Sequence, residues 1–191
     1  MGSAGGPAGA PEGCRLPRLP GARESPTVIL RAASPDDVEA LLDIQQPGAV
    51  AALGHIFAQD QHPFPRRPVA ARWLAEIADP AVDVYLCTTD DGSVQGFAAL
   101  RGRELLHFGT ALPTWGTGLA SRFHDALLDA AADSYGTTVL RLHVFEENGR
   151  ARRFYDKHGW RRTGRSSRST FPPYPELLEL ERPLTSPGLT S

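Results

Sequence analysis

The 191-residue sequence holds only two cysteines, Cys14 in a Gly/Pro-rich stretch and Cys87 in an apolar one. That excludes a disulfide framework and a thiolate metal centre. The six histidines show neither the H-E-x-x-H spacing nor a Cys/His ligand pattern, so no metal is expected. No apolar run approaches the roughly 20 residues that span a bilayer, and the opening residues lack the apolar core of a secretory signal. Met1-Gly2-Ser3 would suit N-myristoylation, but Gly6 stands where that motif needs Ser or Thr. The expected compartment is the cytoplasm, with no membrane partner. An excess of charge of one sign is also missing: 20 Lys+Arg face 22 Asp+Glu, a net charge of −2, which leaves no global attraction for nucleic acid.

What is present, 41% hydrophobic and 22% charged residues, suffices for one packed domain. Residues 1–26 are rich in Gly, Ala, Pro and Arg without hydrophobic periodicity and are expected to form a disordered tail. A single domain is expected over 27–184, and a loose end over 185–191. Thr27 to Leu30 reads as a strand. Ser34-Pro35-Asp36-Asp37 then starts a helix: Ser caps, Pro takes the first helical position, and the acids meet the positive helix end. Pro47-Gly48 is expected to break that helix, leaving Ala49 to Pro68 as a short helix and an irregular loop. A second helix runs from Pro68 to about Ala78, and a hairpin joins Val82–Thr88 to Val94–Arg101 through Asp90-Asp91-Gly92-Ser93.

Downstream, a strand over Glu104–Ala111 meets a glycine-bearing turn at Trp115-Gly116-Thr117-Gly118 and then a helical stripe of Leu119, Phe123 and Leu127. A strand at Val139–Phe145 precedes a helix through Tyr155, which Gly159 ends. Strands at Arg161–Ser167 and Leu177–Arg182 flank a Pro-rich loop. The order implies an α/β fold, a mixed sheet with helices on its faces.

A helix N-terminus offers unpaired amides and partial positive charge, so the turn at Gly116, Thr117, Gly118, Leu119, Ala120 and Ser121 is suited to a phosphate. It is neither a P-loop nor a dinucleotide fingerprint, because the Lys-Ser/Thr and the third glycine are missing.

Thr110 to Ala120, followed by Asn148, Ala151, Phe154-Tyr155 and Gly159-Trp160, resembles the GNAT N-acetyltransferase family. Gly118 and Ala120 fit the last two fixed positions of the family's Q/R-x-x-G-x-G/A motif, while Trp115 replaces the usual Gln or Arg. The second half matches N-x-x-A-x-x-F-Y-x-x-x-G-F/W throughout. The resemblance, over about residues 27–184, implies a splayed mixed sheet and an N-acetyltransferase that uses acetyl-CoA as cosubstrate. Its acceptor would be a small-molecule or peptide amine, acetylated by direct attack in a ternary complex. Pantetheine would lie between the strands Glu104–Ala111 and Val139–Phe145, with amides near Thr110, Ala111 and Leu112 binding it and polarising the thioester carbonyl.

Tyr155 stands at the family's general-acid position, and a phenol with a pKa of about 10 keeps its proton at neutral pH; packing of its ring against the sheet is the structural alternative. Asn148 is either a cofactor contact or a helix cap. The base is Glu104, with His107 the competing choice; odd spacing places the two on opposite faces of an extended strand. Of the arginines from Arg150 to Arg162 none is assigned to a phosphate. The acceptor would be selected by Ala49–Pro68 and Ser166–Pro175, with Asp60, His62, Phe64, Phe171 and Tyr174 as candidate linings. A non-catalytic CoA-binding module on the same fold is the alternative function. A homodimer is one open assembly.

Overall fold

Leu140, Leu142 and Val144 are buried while Arg141 and His143 between them are exposed. This period of two turns one face of strand β5 (Val139–Phe145) into a packed core. The computed structural model describes residues 28–136 and 139–184; the tail and loose end expected from sequence lie outside the described residues. Six further strands are β1 (Ile29–Ala32), β2 (Asp83–Thr88), β3 (Val94–Arg101), β4 (Glu104–Thr110), β6 (Arg161–Arg168) and β7 (Glu176–Pro183). They form one open sheet in the order β1-β2-β3-β4-β5-β7-β6. β4 and β5 run parallel; the other neighbouring pairs are antiparallel.

Helices α1 (Val38–Leu53) and α2 (Arg66–Ala78) cover one face, α3 (Leu119–Tyr135) and α4 (Gly149–Lys157) the other. Strand β3 shows why: Phe97 and Ala99 join Leu41, Leu42 and Trp73 in one core, while Ala98 and Leu100 join Phe123, Leu127 and Tyr155 in the other. α3 is the crossover that a parallel β4–β5 pair requires. The expected mixed, splayed sheet is present. β4 and β5 pair only at Glu104↔Arg141 and Leu105↔Leu142, and beyond those positions the strands part.

The start of α1 follows its sequence signals. Asp37 Oδ2 accepts from the Ser34 amide at 2.8 Å, and Arg31 binds the same carboxylate through two nitrogens at 2.7 and 2.9 Å. The arginine bond comes first among the causes that hold the Asp37 carboxyl well below the usual range. The helix end departs from expectation. α1 runs through Pro47 to Leu53, although an interior proline removes one helix bond. Packing of α1 along β3 and β4 outweighs that loss, and Gly48 faces the end of β4, where a Cβ would meet the Thr110 carbonyl oxygen in ordinary contact at 3.9 Å.

Candidate active site

The parting of β4 and β5 opens a cleft of about 590 Å³, lined by β4 from Leu105 to Thr110, by β5 from Leu142 to Phe145, and by parts of α1 and α4. The backbone of β4 is directed into this opening. The Ala111 amide donates to the Gln95 carbonyl at 2.8 Å, and Gly109 pairs with Phe97. Antiparallel bonding alternates along a strand, so the amides of Phe108 and Thr110 point away from β3, toward the cleft. Of the expected donors, Thr110 therefore faces the opening and Ala111 is occupied within the sheet.

At one end of the cleft stands the glycine turn. Gly116 and Gly118 have φ of 80° and 85°, left-handed angles at which other residues are strained. The Thr117 amide donates to Thr114, and the Leu119 amide to the Thr117 hydroxyl at 3.3 Å. Among the described residues the amides of Gly116, Gly118, Ala120 and Ser121 have no acceptor. Beside them Nε and Nη2 of Arg122 are buried without a partner, and Nη1 of the same side chain would lie 3.3 Å from a Cβ at Gly118. Unpaired donors around a left-handed turn fit an anionic group such as a pyrophosphate. Arg122 was not singled out from the sequence, because an arginine in a first helical turn carries no distinguishing pattern. Trp115, in the place of the usual Gln or Arg, donates its indole N–H to the Thr110 carbonyl at 3.1 Å, and the Arg150 guanidinium lies 3.7 Å over its ring.

On the α3/α4 face Tyr155 lines the cleft and is buried. Its ring meets those of Phe154 and Trp160 edge-on at 5.5 and 5.7 Å. Its hydroxyl has no partner among the described residues, and burial pushes its pKa well up, so the phenol keeps its proton. Asn148 both caps and lines: Oδ1 accepts from the Ala151 amide at 3.0 Å, and the side chain borders the cleft. Nearby, ligand atoms of His124, Asp125 and His158 lie within 4.8 Å of one another. Nε2 of His124 already accepts from Trp160, and Nδ1 of His158 is bonded to the Phe154 carbonyl.

The α1/α2 face carries a different set. A bulge in β4 pairs Ala99 with His107 but Leu100 with Leu105, so one residue is inserted and alternation fails there. His107 consequently turns toward Trp73, 4.7 Å between ring centres, and its Nε2 meets Glu76 Oε1 at 2.9 Å. Glu104 lies on this same face, where its Oε1 approaches His143 Nδ1 at 3.4 Å. The expectation of opposite faces is thus overturned by the bulge. His107 and His143 line the cleft; Glu104 does not, and reaches it only through His143.

The acceptor loops are also redrawn. Because α1 continues past Pro47, the cleft is bordered by its Ile44, Gln45, Ala49 and Ala52, with Phe145 and Leu177 opposite. Asp60, His62 and Phe64 are not part of the lining; Phe64 packs against the α1/α2 core instead. Phe171 and Tyr174 are exposed and lie outside it.

The sequence model of the acetyltransferase (GNAT) family matches residues 50–160, more than half of the chain. The chain belongs to that family. Solved structures of similar fold include spermidine N-acetyltransferase from Vibrio cholerae in complex with CoA and spermine, 17% identical, TM-score 0.64, covering 83% of this chain and 96% of that one. Another is the ribosomal-protein-S18-alanine N-acetyltransferase from Escherichia coli, 17% identical, TM-score 0.62, covering 86% and 99%. A third is YjaB from Escherichia coli, 20% identical, TM-score 0.62, covering 84% and 99%. A search of curated protein sequences finds no match. Among the described residues of this GNAT chain, no helix is long and apolar enough to cross a membrane.

Proposed function

We propose that this GNAT protein transfers an acetyl group from acetyl-CoA to a primary amine by direct attack in a ternary complex. The observation that carries the reading is the fork itself: one cleft passes through the sheet, with a protonated phenol on the α3/α4 face and histidine–glutamate pairs on the α1/α2 face. An amine acylation needs a proton removed at nitrogen and another supplied at sulfur, and the two faces divide those tasks.

Acetyl-CoA, when bound, supplies the activated acyl group and a thiolate as leaving group. Gly116, Gly118, Ala120 and Ser121 hold the pyrophosphate through their free amides. The Phe108 and Thr110 amides face the opened strand gap, where they bind pantetheine and stabilise negative charge developing on the thioester oxygen. Asn148, with its Oδ1 engaged in the cap, has its amide nitrogen left for the cofactor. Tyr155 gives its proton to sulfur. The apolar walls of α1 exclude water from the acyl group and leave space for the acceptor.

Thermal unfolding with acetyl-CoA, CoA and ATP in parallel tests the first step. A ligand at about 100 times its Kd adds roughly 2.7 kcal/mol, so acetyl-CoA and CoA are expected to raise Tm and ATP to leave it unchanged. Thiol release across a panel of amines then tests transfer. Binding with no turnover on any amine would favour a non-catalytic CoA-binding role; no binding would remove the reading.

A further inference from the structure

Two histidine–glutamate pairs share the α1/α2 face of the cleft, and they differ in exposure. The Glu104 and His143 side chains are 42% and 38% exposed, against 13% and 19% for Glu76 and His107. The shielded pair is also the better formed, 2.9 Å against 3.4 Å. Surroundings add to the contrast. Oε2 of Glu76 is buried with no partner, and so is Nε of Arg72, which stands 3.9 Å from Glu76 Oε1. A buried carboxylate with one oxygen unsatisfied costs stability, and such costs concentrate where a site uses the group. Trp73 packs against the His107 ring, 4.7 Å between ring centres, and donates its indole N–H to Gln45 Oε1 at 2.7 Å, so the same tryptophan holds a second polar group at the cleft.

We propose that His107 is the base that takes the acceptor's proton and that Glu76, from helix α2, positions it. This rests on the acetyltransferase reading above. With Nε2–H donated to Glu76, the lone pair of His107 sits on Nδ1, which has no partner among the described residues and belongs to a ring that lines the cleft. A carboxylate behind an imidazole fixes the tautomer and stabilises the imidazolium that forms. In the transfer, the acceptor ammonium loses two protons as its nitrogen bonds to the acyl carbon and the C–S bond breaks. One goes to His107 Nδ1 and on to solvent; the other replaces the proton that Tyr155 hands to sulfur. Glu76 is a positioning residue and His107 the catalytic one.

The test is nitrogen NMR of the full chain with 15N-labelled histidine in mildly alkaline solution, with His107 assigned by loss of its signals in His107→Gln. Wild type is expected to show a protonated Nε2 and an unprotonated Nδ1. Glu76→Leu should mix the two tautomers, and Glu76→Gln, which retains an acceptor oxygen, should largely keep the first. Amines accepted by the wild type supply the second readout: kcat is expected to fall about a hundredfold in His107→Gln and about tenfold in Glu76→Leu, with KM for acetyl-CoA unchanged. An Nδ1–H tautomer in a wild type that binds acetyl-CoA would overturn this inference alone, as would a larger loss of kcat from Glu104→Gln than from His107→Gln. A wild type that acetylates no amine would overturn the underlying reading with it.

Discussion

The indole Nε1 of Trp160 donates to Nε2 of His124 at 2.9 Å, and both side chains are buried. The bond requires a lone pair on Nε2, so it holds His124 in its neutral form; burial is the main cause that pushes the imidazole down to about 4. A histidine whose folded pKa lies below its unfolded value, about 6.5, leaves stability intact above the unfolded value. Below it the unfolded chain binds the proton first. Urea unfolding at stepped pH is therefore expected to show stability falling between about pH 6.5 and about 4. Trp160→Phe, which strands the buried acceptor, should cost about 1–3 kcal/mol at neutral pH. Stability that stays flat across that interval would mean that His124 is not held neutral.

Tyr155→Phe removes the phenol and keeps the ring that packs on Phe154 and Trp160. Turnover should drop by about 10²-fold or more, while the Tm rise caused by acetyl-CoA stays as in wild type. Unchanged thiol release at every pH would assign Tyr155 to packing only.

Gly118→Val places a β-branched side chain at φ 85°, beside Arg122 and over the free amides of the turn. The backbone penalty is about 1–2 kcal/mol, and stabilisation by CoA should be lost. Gly136→Ala is the control: φ there is 54°, with nothing within 4 Å of the added carbon. It shares the strain and should keep the CoA shift. Equal CoA shifts in the two variants would place the phosphates elsewhere.

Pro47→Ala tests the continuity of α1. With proline gone, residue 47 can donate to the Asp43 carbonyl inside the helix, and a gain of up to about 3 kcal/mol is expected. A destabilised variant in denaturant titration would show that the proline is needed for how α1 meets β4.

Much of the sheet was legible in residue order, because its signals are local. The alternation of Val139 to Phe145, the Asp91-Gly92 turn, Gly159 after α4 and the Ser34–Asp37 helix start each act through neighbours a few residues away. The glycine turn and Tyr155 were legible as well, since a left-handed angle and a phenol in a spaced motif do not depend on distant partners. Trp115 and Arg150 were visible as residues, and their stacking was not.

By itself the sequence determined the strand–turn–helix that can hold a phosphate, the helix that carries Tyr155, and the lack of any charge bias or apolar span that would favour nucleic acid or membrane. Tertiary structure alone decided the rest. α1 survives Pro47 because its packing on the sheet outweighs one lost hydrogen bond. The β4 bulge, which exists only in the pairing with β3, turns His107 onto the face that Glu104 already occupies. Helix α2 then brings Glu76 within 2.9 Å of a residue 31 positions away. Local preference cannot encode such a contact: it forms only when two elements far apart in the chain pack on the same side of one sheet.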